Sequence, residues 1–188
     1  FKRYKAIVSY NGQNYYGYQR QVNQTTIQGT IEGALKNALK EEIEIHASGR
    51  TDRGVHAVGQ VIHFDTKSKI PGDKLLRIIN AHLPSDIYFL DIKVVSKAFH
   101  ARYDVVEKEY VYKINTNPYS PIDAGLVWYV EPFDISVFKN ELNKVIGEHD
   151  FYAFCKRPTT SNTVRMVNSL TVLENNGKIE VSIKGNGF

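Results

Sequence analysis

The sequence predicts an α+β protein made of two halves of similar layout. Stretches that alternate apolar and polar residues, as strands do, are separated by segments whose apolar residues recur at helical spacing. A strand–helix–strand succession occurs before residue 100 and again after it. This repetition suggests a duplicated ferredoxin-like unit, with the two halves joined around residues 96–108.

In the first half, a capping-box pattern marks the helix that follows the first strand. In Thr25-Thr26-Ile27-Gln28, Thr25 is predicted to be the N-cap and Gln28 to be residue N3. A second amphipathic helix is predicted over Asp73–Leu83, and Pro84 closes it. Alternation predicts strands at Tyr4–Tyr10, Ile43–His46, Val58–Phe64 and Ile87–Val95.

The second half is predicted to contain a third helix and three strands. Asp134 is placed to cap the helix, and Gly147 is placed to end it. The run Asn175-Asn176-Gly177 predicts a hairpin turn. The strands are predicted at Glu109–Ile114, Val167–Leu173 and Lys178–Lys184.

Composition argues against several classes of protein. Of the 188 residues 42% are hydrophobic, with 12 Tyr and 9 Phe, which indicates a folded chain. No apolar run is long enough to span a membrane, and neither a membrane span nor a signal peptide is visible. The single Cys155 excludes an internal disulfide and a cysteine-based zinc site, which fits a reducing cytoplasm. The six His residues form no metal-binding pattern, and no metal is expected.

The net charge of +4 is a mild basic excess, and its distribution is more informative than its size. Basic residues are interleaved with aromatic ones, which is typical of a surface that binds single-stranded or loop RNA. A solvated sheet face with long Lys and Arg side chains explains the pattern equally well. The basic residues are Arg50, Arg53, Arg102, Lys108, Lys113, Lys156, Arg157 and Arg165, near Tyr103, Tyr110, Tyr112, Phe151, Tyr152 and Phe154.

One loop, Gly49–Gly54, holds a carboxylate between two guanidiniums. Its two glycines predict a sharp turn with close backbone approach. With Arg50 and Arg53 beside it, Asp52 is expected to stay ionised, and an ionised Asp can act as a nucleophile or a general base. An Asx-turn closed by a surface salt bridge explains the same residues. The residue types alone leave both interpretations open.

Three further clusters also have two interpretations each. The run Tyr16–Gln21 suits a loop that touches nucleotides, and equally a hairpin turn with packed tyrosines. In Phe99–Tyr103, His100 is either an acid or base, or simply a hydrogen-bonded residue. Strand alternation places Tyr110 and Tyr112 on one face, so that one could lie in the core and the other at the rim of a cleft.

The loop belongs to a longer pattern, Gly49–Ala57 followed by Gly59-Gln60-Val61. This pattern closely resembles GRTDxGVHA-x-GQV, the signature of the TruA-type tRNA pseudouridine synthases. The family often has Trp where Tyr18 stands. Further matches follow the family's order along nearly the whole chain: Tyr10-Asn11-Gly12, Tyr16-Gly17-Tyr18-Gln19-Arg20-Gln21, Phe99-His100-Ala101-Arg102, Tyr110-Val111-Tyr112 and Asn186-Gly187-Phe188.

The resemblance implies an isomerase that converts uridine to pseudouridine at positions 38 to 40, in the anticodon stem-loop of tRNA, without cofactor or metal. It implies that Asp52 is the catalytic carboxylate, that Arg50 takes the space of the flipped uridine and that Tyr110 stacks on the uracil. The other residues expected to bind the substrate are Arg20, His100 and Arg102.

The resemblance also implies two ferredoxin-like halves around a continuous antiparallel sheet. Residues 1–103 form the half with the Asp52 loop, and residues 104–188 form the other. A cytoplasmic homodimer is expected, with tRNA lying across both subunits. In the family a basic residue near the end of the last motif pairs with the catalytic Asp. This sequence stops at Phe188, before that position, so we expect the second half to be truncated at its end.

Two other classes of function stay open at this point. The basic and aromatic surface is compatible with an RNA-binding or chaperone module that has no catalytic activity. A metal-dependent hydrolase is a third class. For the enzyme itself, the sequence does not choose between attack of Asp52 on C1′ and removal of a C2′ proton to give a glycal.

Overall fold

The computed structural model describes residues 1–155 and 162–186. The chain divides into two compact units, Phe1–Val105 and Val106–Phe188, and each contains one sheet with helices, which confirms the α+β class. Four residues considered above lie outside the described ranges: Lys156, Arg157, Gly187 and Phe188.

The first unit has the βαββαβ element order of a ferredoxin-like unit. Its sheet is antiparallel throughout, in the order β2-β3-β1-β4. The elements are β1 (Lys2–Tyr10), α1 (Ile27–Leu39), β2 (His46–Ala47), β3 (Ala57–Thr66), α2 (Gly72–His82) and β4 (Ile87–Val95).

The core of the first unit lies between one face of the sheet and the two helices. Alternate residues of β1 are buried, in agreement with the period of two that predicts this strand. Tyr4 stacks on Phe64 of β3 with ring centroids 5.8 Å apart. Ile31 of α1 and Ile79 of α2 are fully buried in the same cluster. Burial of each such side chain stabilises the fold by about 1.5–3 kcal/mol, so the sheet is a rigid support for its loops.

The predicted capping box at the start of α1 is wrong by one residue. Thr26, not Thr25, is the N-cap, and its side chain accepts a hydrogen bond from the Gly29 N–H at 3.3 Å. Gln28 is therefore too early in the helix to reach back to the cap. Its side chain instead accepts a hydrogen bond from the Arg20 N–H and donates one to Glu32.

The predicted strand Ile43–His46 forms only at its end, since β2 contains just His46–Ala47. Ile43 and Ile45 are buried as the alternation predicts. The Ile45 N–H, however, donates to the Glu32 carboxylate at 3.1 Å and is not available for strand pairing. A side chain of α1 thus replaces part of the predicted ladder.

The second unit contains the predicted succession of strand, helix and strand, with one more short strand before the helix, but it does not repeat the first unit. In the part of this unit that the structure describes, three strands follow α3 without another α-helix. Its elements are β5 (Lys108–Asn115), β6 (Trp128–Tyr129), α3 (Ile135–Asn143), β7 (Gly147–Asp150), β8 (Val164–Asn175) and β9 (Lys178–Gly185), with short 3₁₀ turns at Pro121–Asp123 and Tyr152–Phe154.

The sheet of the second unit has the order β6-β5-β9-β8-β7. All its pairs are antiparallel except β5 and β6, which are parallel, with Ile114 opposite Trp128. The long connection between these two strands allows β6 to run in the direction of β5. The resemblance implies one continuous antiparallel sheet; the described strands instead form two sheets, one in each unit, and this one is mixed.

Two local predictions for the second unit are confirmed and one is wrong. Asp134 caps α3 by accepting hydrogen bonds from two backbone N–H groups. Asn176 and Gly177 both have positive φ, as the predicted hairpin turn requires. Gly147 does not end α3, because the three residues after Asn143 continue it as a tighter turn with i to i−3 hydrogen bonds, and Gly147 begins β7.

No helix in the described part of the chain combines the length and the apolar character that crossing a bilayer requires.

Candidate active site

The loop that carries Asp52 connects β2 to β3 in the first unit. The Val55 N–H donates to the Asp52 carbonyl at 3.1 Å, which closes a turn over residues 52–55. Gly54 has φ +79°, a conformation that a turn can demand and that glycine adopts without steric cost. This turn leaves the Asp52 side chain exposed to solvent at the surface of the loop.

Side chains and backbone of the sheet hold the first half of the loop. The buried Gln60 of β3 accepts a hydrogen bond from the Ser48 hydroxyl at 2.5 Å and donates one to the Gly49 carbonyl at 2.6 Å. The Tyr10 hydroxyl at the end of β1 is 2.9 Å from the Thr51 hydroxyl. The residues on both sides of Arg50 are therefore anchored to the sheet.

The segment after β1, residues 11–18, packs directly against the loop backbone. A Cβ on Gly12 would lie 2.0 Å from the Val55 carbonyl oxygen, so only glycine fits there. Gly17 has φ +89°, and a Cβ on it would lie 3.1 Å from the Thr51 carbonyl oxygen. The Gly12 N–H also donates to Nδ1 of His56 at 3.2 Å. The two glycines let this segment and the loop form one rigid structure.

The predicted salt bridge of Asp52 is not formed within the described ranges. No Arg or Lys nitrogen of residues 1–155 or 162–186 lies within 4.0 Å of the Asp52 carboxylate. The Arg53 guanidinium lies over the Tyr16 ring, 4.3 Å from its centroid. The interpretation of Asp52 as half of a turn salt bridge thus loses its support.

Arg20, a predicted substrate-binding residue, is already paired with carboxylates. It forms ion pairs with Glu32 at 3.3 Å and with Glu44 at 3.8 Å. Glu32 is buried and also accepts hydrogen bonds from the Ile45 N–H and from Gln28. The structure therefore gives Arg20 a role in balancing a buried charge, and contact with substrate would compete with that role.

His100 and Arg102 lie on a segment that packs beside β2 and β3. The rings of His100 and His63 are 4.6 Å apart, and the Arg102 N–H donates to His100 Nδ1 at 3.2 Å. The Ala101 N–H donates to Nδ1 of the buried His63 at 3.1 Å. In the described residues, the contacts of His100 do not reach the Asp52 loop.

This histidine contact predicts that stability depends on pH. Burial lowers the pKa of His63 to about 4, and the neighbouring His46, Arg3 and His100 contribute to the decrease, whereas Asp65 opposes it. Because the unfolded chain binds a proton near pH 6.5 and the folded one does not, the stabilisation is complete above pH 6.5 and is lost as the pH falls towards 4. Urea unfolding at several pH values measures it.

The control for this prediction is His63→Asn. The Asn carboxamide oxygen can accept the hydrogen bond of the Ala101 N–H, and it does not titrate. The variant is expected to lose less stability between pH 7 and pH 5 than the unchanged protein. Equal losses in the two proteins would show that His63 is not the group responsible.

Tyr110 lies in the second unit, on β5, where it is half-buried opposite Ile183 of β9. Tyr112, on the same face, is 58% exposed. Neither ring is fully buried, so the expectation that one of the pair lies in the core is wrong. Both side chains therefore keep some exposure to solvent.

The comparison with known proteins agrees with these features. Residues 6–104 and 142–188 match the family model described as tRNA pseudouridine synthase. A tRNA pseudouridine synthase A of Brevibacillus brevis is 41% identical over all of this chain and 78% of its own length. One from Clostridium kluyveri is 42% identical with the same coverage, and one from Listeria monocytogenes is 42% identical over 99% of this chain and 77% of its own length.

The chain belongs to the tRNA pseudouridine synthase family. The resemblance seen in the sequence is therefore confirmed, and the protein is a member of a family of isomerases. Within residues 1–155 and 162–186, no three His, Cys, Asp or Glu side chains are grouped so as to hold a metal ion.

Most of the contacts that support the Asp52 loop of this synthase family member were not predicted from the sequence. The roles of Tyr10, Gly12 and Gln60 depend on contacts between residues that are far apart in the chain. One signal was present, because Gly12 and Gly17 flank a run of tyrosines after the first strand, and paired glycines of this kind indicate close backbone approach.

Tyr18, at a position where the family often has Trp, provides a stability prediction. Its hydroxyl is buried and has no hydrogen-bond partner among the described residues, and burial raises its pKa above the usual value. Tyr18→Phe removes this unsatisfied group and is expected to raise the free energy of unfolding by about 1 kcal/mol. Thermal or urea unfolding measures the change.

Tyr15→Phe is the matched control for Tyr18→Phe. The Tyr15 hydroxyl is also at a buried residue, but it donates to Asp86 at 2.6 Å. Its removal is expected to lower the free energy of unfolding by about 1.5–3 kcal/mol, because a hydrogen bond to a charged group is lost. Destabilisation of similar size in both variants would contradict the assignment of Tyr18 as unsatisfied.

Proposed function

We propose that this protein converts uridine to pseudouridine at positions 38 to 40 of tRNA, in the anticodon stem-loop, with Asp52 as the catalytic carboxylate. The observation that carries the proposal is the state of Asp52 in the family motif. It is exposed on a loop whose backbone is anchored on both sides, and within the described ranges it has no ion-pair partner. A carboxylate held in this way is available to a substrate.

The chemistry needs little more than one ionised carboxylate and a confined base. The N1–C1′ bond of uridine breaks, the uracil turns, and C5 forms a bond to C1′. A proton leaves C5 and one is added at N1, so the product is an isomer and nothing is oxidised or reduced. Asp52 either attacks C1′ or removes the C2′ proton to give a glycal. We propose no cofactor or metal for this isomerisation.

The target uridine must leave the base stack before Asp52 can reach its sugar, at a cost of a few kcal/mol. Arg50 is exposed between the anchored residues Gly49 and Thr51, and we assign to it the space that the flipped uridine vacates. We assign to the half-buried ring of Tyr110 the stacking contact that holds the uracil while it turns. Contacts to the tRNA phosphates offset the cost of flipping.

The remaining substrate-binding residues of the proposal are Arg20, His100 and Arg102. Arg102 is exposed, and its backbone is held by His100. Arg20 can serve the substrate only if a phosphate draws it from Glu32 and Glu44. The proposal includes a homodimer with tRNA across both subunits, and a cytoplasmic location, where tRNA is modified.

Release of tritium from C5 tests the function directly. A tRNA transcript labelled at uracil C5 loses its label when C5 bonds to C1′, so the protein is expected to release tritium in proportion to the number of uridines converted. Chemical mapping of pseudouridine should place the product at positions 38 to 40. Tight binding of tRNA without release of the label would favour an RNA-binding module that has no catalytic activity. Release of the label only after a metal ion is added would favour a metal-dependent enzyme.

A further inference from the structure

The residue after Asp52 in the loop, Arg53, is held by an aromatic ring. Its guanidinium lies over the ring of Tyr16, with Cζ 4.3 Å from the centroid. Both side chains are exposed to solvent, and Tyr16 retains 40% of its accessible surface. An Arg stacked in this way keeps its orientation, whereas a free surface Arg samples many rotamers.

The backbone around Tyr16 explains why this pair forms. The Tyr16 N–H donates to the Thr25 carbonyl at 3.0 Å, and the Tyr16 carbonyl accepts from the Gln21 side chain at 2.6 Å. The next residue, Gly17, packs so closely on the loop that a Cβ added to it would lie 3.4 Å from the backbone nitrogen of Arg53. The ring is thus brought to the loop by backbone contacts that do not involve Arg53's side chain.

The charge of Arg53 is not neutralised in the part of the chain that the structure describes. No carboxylate of those residues lies within 4.0 Å of its guanidinium. Stacking on Tyr16 covers one face of the guanidinium and leaves the N–H groups at its edge for other partners. The edge of the guanidinium can donate two parallel hydrogen bonds to two oxygens of one acceptor group. In RNA this acceptor is a phosphate, and in a protein it is a carboxylate.

From these observations we infer that Arg53, oriented by Tyr16, binds a phosphate of the tRNA strand next to the uridine on which Asp52 acts. The inference rests on the proposed function, because it takes the substrate to be tRNA and Asp52 to face the target. It gives Arg53 a specific role at a position that the family signature leaves variable. It also makes Tyr16 a positioning residue that acts through Arg53.

Equilibrium binding of an unmodified tRNA transcript at several salt concentrations tests the inference. Arg53→Gln is expected to weaken binding about tenfold at low salt. It should also reduce the slope of log K against log salt by about 0.7–0.9, the value for one lost phosphate contact. Tyr16→Leu is expected to act in the same direction, because the guanidinium loses its support, whereas Tyr16→Phe keeps the ring and should bind like the unchanged protein.

Arg77→Gln is the charge-matched control. Arg77 is exposed on α2, and its removal changes the net charge by the same amount without touching the loop. It should leave both the affinity and the salt slope close to those of the unchanged protein. If Arg53→Gln behaves like Arg77→Gln while the unchanged protein releases tritium from tRNA, the inference is wrong and the proposed function stands. If the unchanged protein releases no tritium, the proposed function itself fails.

Discussion

Asp52→Asn is expected to reduce tritium release from C5-labelled tRNA by at least about a thousandfold. The amide can neither attack C1′ nor remove a proton from C2′ at neutral pH, and both proposed routes need one of these steps. The variant should nevertheless unfold at the same temperature as the unchanged protein. No described residue forms an ion pair or side-chain hydrogen bond with the Asp52 carboxylate, and the turn it sits in is closed by its backbone carbonyl.

Asp91→Asn is the control for this prediction. Asp91 is exposed on β4, so that the substitution makes the same chemical change away from the loop, and the rate should stay within about twofold. A single-turnover measurement at saturating tRNA separates the chemical step from binding. Full release of tritium by the Asp52→Asn protein would remove Asp52 from the mechanism, and loss of release together with loss of the fold would leave its role in catalysis unsupported.

Gly12→Ala is expected to damage both the fold and the activity. The new Cβ would lie 2.0 Å from the Val55 carbonyl oxygen and 2.7 Å from its carbon, and backbone atoms cannot yield as a flexible side chain can. The loop must therefore move away from the segment after β1. Overpacking of this kind costs about 1–3 kcal/mol in stability, and a displacement of about 1 Å at the proposed catalytic carboxylate is expected to lower the rate about a hundredfold.

Gly33→Ala is the matched substitution for Gly12→Ala. Gly33 lies within α1, and an added Cβ meets nothing within 4 Å. Alanine is the better helix former, so this variant is expected to gain about 0.5–1 kcal/mol of stability and to keep its activity. Unfolding curves and tritium release distinguish the two glycines. An active Gly12→Ala protein of normal stability would contradict the close contact between Gly12 and the loop.

The sequence predicted those elements that depend on local patterns. Ile87–Val95 coincides with β4 because a half-buried strand alternates its side chains, and the Asn176-Gly177 turn follows from backbone preference. The family motif is also a local sequence pattern, and it identified Asp52 as the candidate catalytic residue. The sequence could not predict that a side chain competes with a neighbouring strand for a backbone hydrogen bond. The Ile45 N–H donates to the Glu32 carboxylate and does not pair with a strand, so β2 is shorter than predicted.

Two side-chain assignments show the same limit at the site. A salt bridge between Asp52 and a neighbouring Arg was one of two interpretations of the sequence, but the guanidinium of Arg53 stacks on a ring 37 residues earlier in the chain. Arg20 was predicted to face the substrate, and its partners are Glu32 and Glu44, which the fold brings to it. Neither outcome can be read from the spacing of residues, because both depend on which elements pack together.

Gly12 and Gly17, which allow the segment after β1 to pack closely on the Asp52 loop, have a consequence for protein engineering. The conformation of the loop depends on contacts from outside it, namely the Tyr10 hydroxyl at the end of β1 and the backbone of residues 11–18. A graft of Gly49–Ala57 alone onto a foreign sheet would transfer the carboxylate but not its orientation. The smallest transplantable unit is the pair of segments together, with the strand ends that hold them side by side.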